Sequence, residues 1–247
     1  MILILGSHQD DVLYCASLLN KKKTDKLLGR FPTQTGTIFN QEVMIVSGIH
    51  TSVLASAVVS HVLGHNYVNL VFILGKCYAL DDSFHPGDIV MSKDIIDIDV
   101  DQIDVANAVV GQVPGLPREY KCQVDVLGYL DTGFHRRTLR TASTVTFLSS
   151  DNLVSPAVDK AAQNRGVFSQ RGPFVLDSSS FGCALACFIH GVPCVSVKAV
   201  ERKLGKEKSI EGYLGALDSY VDIGKAVVYT IGDIGRSDVL RLRRQEG

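Results

Sequence analysis

The six cysteines (Cys15, Cys77, Cys122, Cys183, Cys187 and Cys194) include no CxxC pair. Cys183 and Cys187 are four apart, a spacing that suits a metal on one helix face, but no second pair completes a set. The thiols therefore read as buried packing groups in a reducing compartment, which predicts a cytoplasmic protein. No GxGxxG run is present, so a dinucleotide fingerprint is excluded. A nucleophile-elbow pattern is missing too, and with it any claim to a Ser-His-Asp or Cys-His nucleophile. The acidic run Asp94, Asp97, Asp99, Asp101 and Asp104 lacks the glycine and terminal glutamate of a calcium loop and reads as a solvated edge or loop. There is no charge excess: the net charge is −1, which argues against nucleic-acid or membrane partners. Nor is there a long uninterrupted apolar run, since the best stretch, residues 181–197, is cut by Gly191-Val192-Pro193. The opening MILILGSHQDD carries no basic leader, so no signal peptide is expected. Without repeats or a low-complexity linker, one domain over residues 1–247 is expected.

What is present is an alternation of apolar strands and helices, centred on FVLDSSSFGCALACFIHGVPCVSVKAVER, residues 174–202. A strand over 174–177 leads through Ser178, Ser179 and Ser180, expected to cap the following helix (181–188). Gly191 stops that helix, and 195–200 is a second apolar strand. Two nearly continuous apolar strands around a buried helix predict parallel strands covered on both faces. The polar residues at their carboxyl ends, Asp177–Ser180 and Lys198–Arg202, are then the place for chemistry. Elsewhere the pattern predicts a strand over 2–5 ending at Gly6 and a helix from Ser7 to about Lys23. It also predicts a hairpin (31–39 and 42–47), helices at 52–63, 124–130 and 156–164, and strands at 70–74, 88–98 and 143–148. The loop GQVPGLP, a charged connector (203–208), a long amphipathic helix (210–230) and a basic tail complete the chain. The expected fold class is α/β, three layers (α/β/α) around a central mixed sheet.

Two other features leave readings open. Asp11 lies in a helical first turn, where the dipole favours a carboxylate whether or not it is functional. His61 and His65 stand i, i+4 with no third ligand, so no metal is expected. His8 and His50 follow strand ends and can reach a ligand there.

Several ordered segments resemble the nucleoside phosphorylase/nucleosidase family, closest to its methylthioadenosine/S-adenosylhomocysteine nucleosidase branch. They are ILILGSHQDDV, TGTIFNQEV, VSGIHTSVLASAVVSHVL, PGDIV, GQVPGLP, FLSSDNLV and VLDSSSFGCALACFIHGVPCVSVKAV, spread over residues 2 to about 220. The resemblance implies cleavage of a nucleoside's N-glycosidic bond by water or phosphate (a hydrolase or pentosyltransferase), with no cofactor unless phosphate serves as co-substrate. It implies a nucleoside or nucleotide-like ligand and a homo-oligomer, a dimer in preference, built around the helix at 52–63. It places the water-activating carboxylate at Asp11, one methylene shorter than the usual Glu, and a preceding carboxylate at Asp177. The ribose-binding Met-Glu pair falls on Ser178 and Ser179. The purine-facing Asp falls on Arg202, with Glu201 one residue away, and a lid aromatic falls near Ala106. Catalysis is thus expected from Asp11 and Asp177. Ligand binding is expected from Gly6, His8, Ile49, Gly75, Lys76, Ser150, Asn152, Leu153, Ser178, Ser179, Lys198, Glu201 and Arg202. The exchanges at 179 and 202 imply altered specificity, or a catalytically inactive member that binds a ligand or a partner. Lys76, Lys198 and Arg202 either converge on an anionic ligand or point outward as surface charges.

Overall fold

A computed structural model of the chain describes residues 1–80, 82–101, 109–153, 173–206 and 210–236. The helix expected at 156–164, the lid position Ala106 and the tail beyond Arg236 lie outside the described residues. In chain order come β1 (Ile2–Gly6), a 3-10 turn (Asp10–Val12), α1 (Leu13–Ser17), β2 (Asn20–Leu27), β3 (Phe31–Ile38) and β4 (Gln41–Ser47). Next are α2 (Ser52–His65), β5 (Leu70–Ala79), β6 (Ile89–Asp97), β7 (Tyr120–Lys121), α3 (Val124–Arg137) and β8 (Ala142–Ser149). The run closes with β9 (Phe174–Asp177), α4 (Ser180–Ile189), β10 (Cys194–Lys203) and α5 (Ile210–Arg236).

The ten strands make one mixed sheet in the order β10-β6-β8-β9-β5-β1-β4-β3-β2, with β7 on β6. A further pairing of β10 with β5 closes β5, β10, β6, β8 and β9 into a ring. The strands β1 and β4 extend it in parallel from β5, and β3 and β2 follow antiparallel. Alternation along β1 sends Ile2 and Ile4 into the layer with α1, α3 and α5, and Leu3 and Leu5 into the layer with α2 and α4. The expected three-layer α/β fold is what forms.

Two expectations fail. Residues 18–23 do not continue a helix: α1 ends at Ser17, and Asn20–Leu27 is the outermost strand. Its lysines are good helix formers, yet the antiparallel ladder to Thr33, Thr35 and their neighbours decides the conformation, and charged side chains suit an unpartnered sheet edge. Nor do β9 and β10 run in parallel. β9 is parallel to β8 and antiparallel to the end of β5, whereas β10 is parallel to β5 and antiparallel to β6. The two strands read as continuous apolar runs because the ring buries them on both faces, not because they are like-directed neighbours.

One detail of β5 positions everything that follows. β1 accompanies it only from Leu70 to Leu74, and β9 joins the same side only at Tyr78 and Ala79. Gly75, Lys76 and Cys77 therefore have no strand partner on that side, while β10 runs along the other, with Lys198 opposite Gly75.

Candidate functional site

Three chain ends meet at this break. The turn after β1 brings in Asp11, the end of β9 brings in Asp177, and the middle of β10 brings in Lys198. Asp11 is buried, and its Oδ2 accepts the His8 backbone N–H at 2.7 Å. A side chain at Gly75 would put its Cβ 3.0 Å from that same oxygen, and Gly75 has φ +142°. Only glycine lets β5 pass this close to the carboxylate. Gly6 is similarly tight: a Cβ there would stand 2.7 Å from Val12 and 2.9 Å from the His8 carbonyl. Its own carbonyl accepts the N–H of Ile49, a buried residue that fixes the loop between β4 and α2.

Lys198 is only 1% exposed. Its ammonium lies 3.3 Å from Asp177 Oδ2 and donates to Ser179 Oγ at 3.1 Å. The same Asp177 oxygen accepts the Ser180 N–H at 3.1 Å and the Ser180 hydroxyl at 2.5 Å, while Oδ1 is buried without a partner. The serines thus do not cap α4 through their side chains. Asp177, three residues before the donor N–H of Ser180, takes that role, and Ser180 is held in turn by Ser196 at 2.8 Å. Ser178 turns away from this cluster and donates to the His50 carbonyl at 2.7 Å.

The base-side residues of the expectation form a second group on the same strands. Lys76 Nζ is 3.0 Å from Glu201 Oε1, and Glu201 Oε2 is buried without a partner. The Arg202 guanidinium sits over the Tyr78 ring, 5.4 Å from its centroid, with Nε buried and unpartnered. Burial first, and then the Glu201 carboxylate, push the Tyr78 phenol up to about 12. Of the three cations Lys198 is buried, and Lys76 and Arg202 are half-buried against Glu201 and Tyr78. Lys76 and Lys198 are each matched by a carboxylate of the chain, so they do not form an open anion cradle.

Ser150, Asn152 and Leu153 occupy the neighbouring turn. The Ser150 N–H donates to the Asp177 carbonyl at 2.8 Å, its hydroxyl donates to Asp99 Oδ1 at 3.0 Å, and it accepts the Asn152 N–H at 3.0 Å. Leu153 packs with Tyr78, Leu148, Leu176 and Leu204. Asp99 also accepts the Asp151 N–H at 2.9 Å, and Asp94 is buried, so the acidic run is not simply a solvated edge. At the outer side, the rings of His8 and His50 meet edge-on at 4.9 Å.

The electrostatics favour Asp11 as a base. Burial holds its carboxyl above the ordinary 3.8, opposed by the His8 N–H and by the Lys198 charge. A carboxylate held upward in this way is better matched to proton transfer near neutral pH. Partial burial is the largest cause lowering His50, with the neighbouring His8 second. Next to the Asp11 turn, a cavity of about 480 Å³ is lined by Asp10, Leu13 and Tyr14 on one side and Leu217, Tyr220 and Val221 of α5 on the other. No group of three or more His, Cys, Asp or Glu side chains suited to a metal occurs among the described residues. No described helix is long and apolar enough to cross a membrane.

Sequence reasoning placed Asp11, Asp177, Ser179 and Lys198 individually but missed Ser180 as the main holder of Asp177 and Asp99 as the anchor of the 150–152 turn. Tyr78 was also missed, and its only signal was an aromatic at the end of an apolar strand.

Comparison with known proteins agrees with the fold. The family model of the phosphorylase superfamily matches residues 1–228. The chain is 24% identical over 220 residues to the 5′-methylthioadenosine/S-adenosylhomocysteine nucleosidase of Staphylococcus haemolyticus, covering 87% of this chain and 92% of that one. It is 21% identical over 221 residues to the same enzyme of Bacillus cytotoxicus, covering 90% and 91%. Among solved structures, it is similar to the Neisseria meningitidis nucleosidase in complex with methylthio-immucillin-A, at a TM-score of 0.83 and 17% identity over 94% of this chain and 98% of that one. Futalosine hydrolase of Helicobacter pylori gives 0.80 and 14% identity over 94% and 97%. With a family match that runs from the first strand into the last helix, the chain belongs to the phosphorylase superfamily.

Proposed function

We propose that the protein is a nucleosidase that hydrolyses the N-glycosidic bond of a nucleoside, with a base and ribose specificity shifted from that of its curated relatives. The observation that carries this reading is the meeting of Asp11 with the Asp177–Lys198–Ser179 cluster at the unpartnered Gly75–Cys77 stretch of β5. Asp11 orients the attacking water and takes its proton, which its raised pKa favours. Asp177 and Ser179 face the ribose. As the sugar gains oxocarbenium character, the Asp177 carboxylate supplies negative charge, and Lys198 and Ser180 keep that carboxylate fixed in advance. Glu201 and Arg202 face the base. Arg202 donates hydrogen bonds but cannot deliver a proton, so a leaving base must be one that a charged donor stabilises or that draws its proton elsewhere. A serine at 179 makes a neutral hydrogen bond to a sugar hydroxyl where a carboxylate would make a stronger, charge-assisted one.

The test is base release from a panel of purine and pyrimidine nucleosides, followed by chromatography with and without phosphate. Release that does not need phosphate is expected, and no release from any nucleoside would sink the proposal. Phosphate dependence would instead make the protein a phosphorylase.

A second reading, a family member that binds a nucleoside without cleaving it, is favoured by the Lys198 ammonium held against Ser179. On that reading, S179E combined with R202D creates turnover that the parent lacks. Turnover by the unaltered chain excludes it. In either case we assign it as one cytoplasmic domain that self-associates through α2, without nucleic-acid or membrane partners. Val53 on that helix is 72% exposed in the single chain, and gel filtration checks the association.

A further inference from the structure

Four of the six cysteines gather along α4 and the joint at which it gives way to β10, with Cys183 one helical turn from Ser179. Cys183 and Cys187 share one face of α4 with their sulfurs 4.0 Å apart. Across the Gly191 turn, Cys187 and Cys194 line the wall of one cavity, near enough for each thiol to perturb the other. Cys122 completes the row, its sulfur 3.0 Å from Ser92 Oγ. The backbone holds the joint closed, because the Val192 N–H donates to the Cys187 carbonyl at 2.9 Å. The arrangement also has a way in. A cavity of about 660 Å³ is lined by Cys187 and Cys194 together with Tyr120, Phe188 and Pro193. Cys194 is partly exposed, whereas Cys15 and Cys77 are fully buried and line none of the cavities described above.

We propose that this joint is an oxidation site, at which a peroxide entering the cavity joins Cys187 and Cys194 in a disulfide. The Cys194 sulfur, reached first, attacks one peroxide oxygen. The O–O bond breaks, a sulfenic acid forms on Cys194, and water leaves. The Cys187 sulfur then attacks the Cys194 sulfur, the S–O bond breaks, and a second water carries off the hydroxyl and the thiol proton. Two thiols lose two electrons in total, and the peroxide gains them. Cys183 lies beyond Cys187 from the cavity, so it is not the resolving group. Contact with a neighbouring thiol (Cys183 for Cys187, Cys187 for Cys194), and then burial, hold these thiols protonated, so the reaction is slow at neutral pH and quickens as the pH rises.

The experiment treats the native full-length protein with hydrogen peroxide, removes the oxidant, alkylates the free thiols after denaturation, and maps the peptides by mass spectrometry. The expected product is a Cys187–Cys194 link, two hydrogens lighter than the paired thiols and reversed by dithiothreitol, with Cys15 and Cys77 alkylated. C187S should stop the reaction at Cys194 sulfenic acid, trapped by a dimedone adduct, and C187A serves if that variant does not fold. C194S should leave Cys187 reduced. A Cys183–Cys187 link, a link between chains, over-oxidised Cys194 without a link, or intact thiols at 187 and 194 would each overturn the proposal.

Discussion

Replacing Lys198 by methionine tests the centre of the site. The side chain keeps most of its volume, so packing changes little, and what is lost is the ammonium 3.3 Å from Asp177. Removing one member of a buried ion pair typically costs about 3–5 kcal/mol, because the other charge stays behind in a poorly solvated place. Here Asp177 Oδ2 keeps the Ser180 N–H and hydroxyl, so the lower end applies, about 3 kcal/mol. For a chain of this size each kcal/mol moves the melting midpoint by about 2–4 °C, which gives a fall of roughly 6–12 °C. Thermal and urea unfolding of the parent, K198M, D177N and the double variant measure the pair directly. D177N should also destabilise, since it leaves the ammonium with Ser179 alone. The double variant should lose clearly less than the sum of the two single losses. A K198M loss below about 0.5 kcal/mol, or strict additivity in the double variant, would refute the claim that the two charges hold each other in the interior.

Further consequences concern pH and close packing. Burial raises the Asp11 pKa, so its carboxyl favours the fold below the ordinary 3.8, and that contribution is lost as the pH climbs through the raised value. D11N should therefore be at least as stable as the parent at pH 7, and that margin should shrink at acid pH, while base release falls by ~10² or more. A D11N protein clearly less stable than the parent at neutral pH would contradict this sign. Tyr78 stabilises the fold below the ordinary phenol value of 10, and this contribution fades as the pH rises towards about 12. Ultraviolet titration should show a late-ionising phenol that disappears in Y78F and ionises earlier in E201Q. In G182A the new Cβ would clash with the Ser52 backbone carbonyl, so α2 and α4 must separate. A loss of about 3 kcal/mol or more is expected, against a small gain for G128A, where nothing lies within 4 Å.

The strands were legible where burial was two-sided. β1, the first half of β5 and β9 are runs of Ile, Leu, Val and Phe, and each formed where the pattern put it. β2 was not legible, because NKKKTDKL carries no apolar face. Its conformation comes from β3, a partner that local propensity does not see. The continuation of β5 through Gly75–Ala79 was hidden for a similar reason. Glycine followed by lysine reads as a strand end, and only the register with β10 keeps the backbone extended there. At the site, resemblance named positions but not partnerships. Ser179 was marked as a weakened ribose clamp, when its hydroxyl also receives the Lys198 ammonium. For Lys198 the sequence leaves an anionic ligand and an outward surface charge both open, whereas its charge is answered by Asp177 in the interior. Pairing of this kind depends on which strands face each other across the ring, and no spacing along the chain encodes that.

The ring also explains why the chemistry gathers at this one place. Closing five strands on themselves forces β5 to serve three neighbours, and two of them must share one of its sides. β1 takes the first half and β9 the end, so the backbone from Gly75 to Cys77 lacks a strand partner there. Charged side chains from three segments gather at the same place: Asp11 after β1, Asp177 at the end of β9 and Lys198 from midway along β10. The pairing of Asp177 with Lys198, and the His8 N–H on Asp11, are what let these charges remain so deeply buried. A substitution at one of these positions therefore acts on the others. A carboxylate introduced at 179 would compete with Asp177 for Lys198, so a single S179E change cannot be read as the addition of one hydrogen bond. Lys198, Asp177 and residue 179 have to be varied as one electrostatic unit, and the coupling measured with K198M and D177N is the reference against which any such change should be judged.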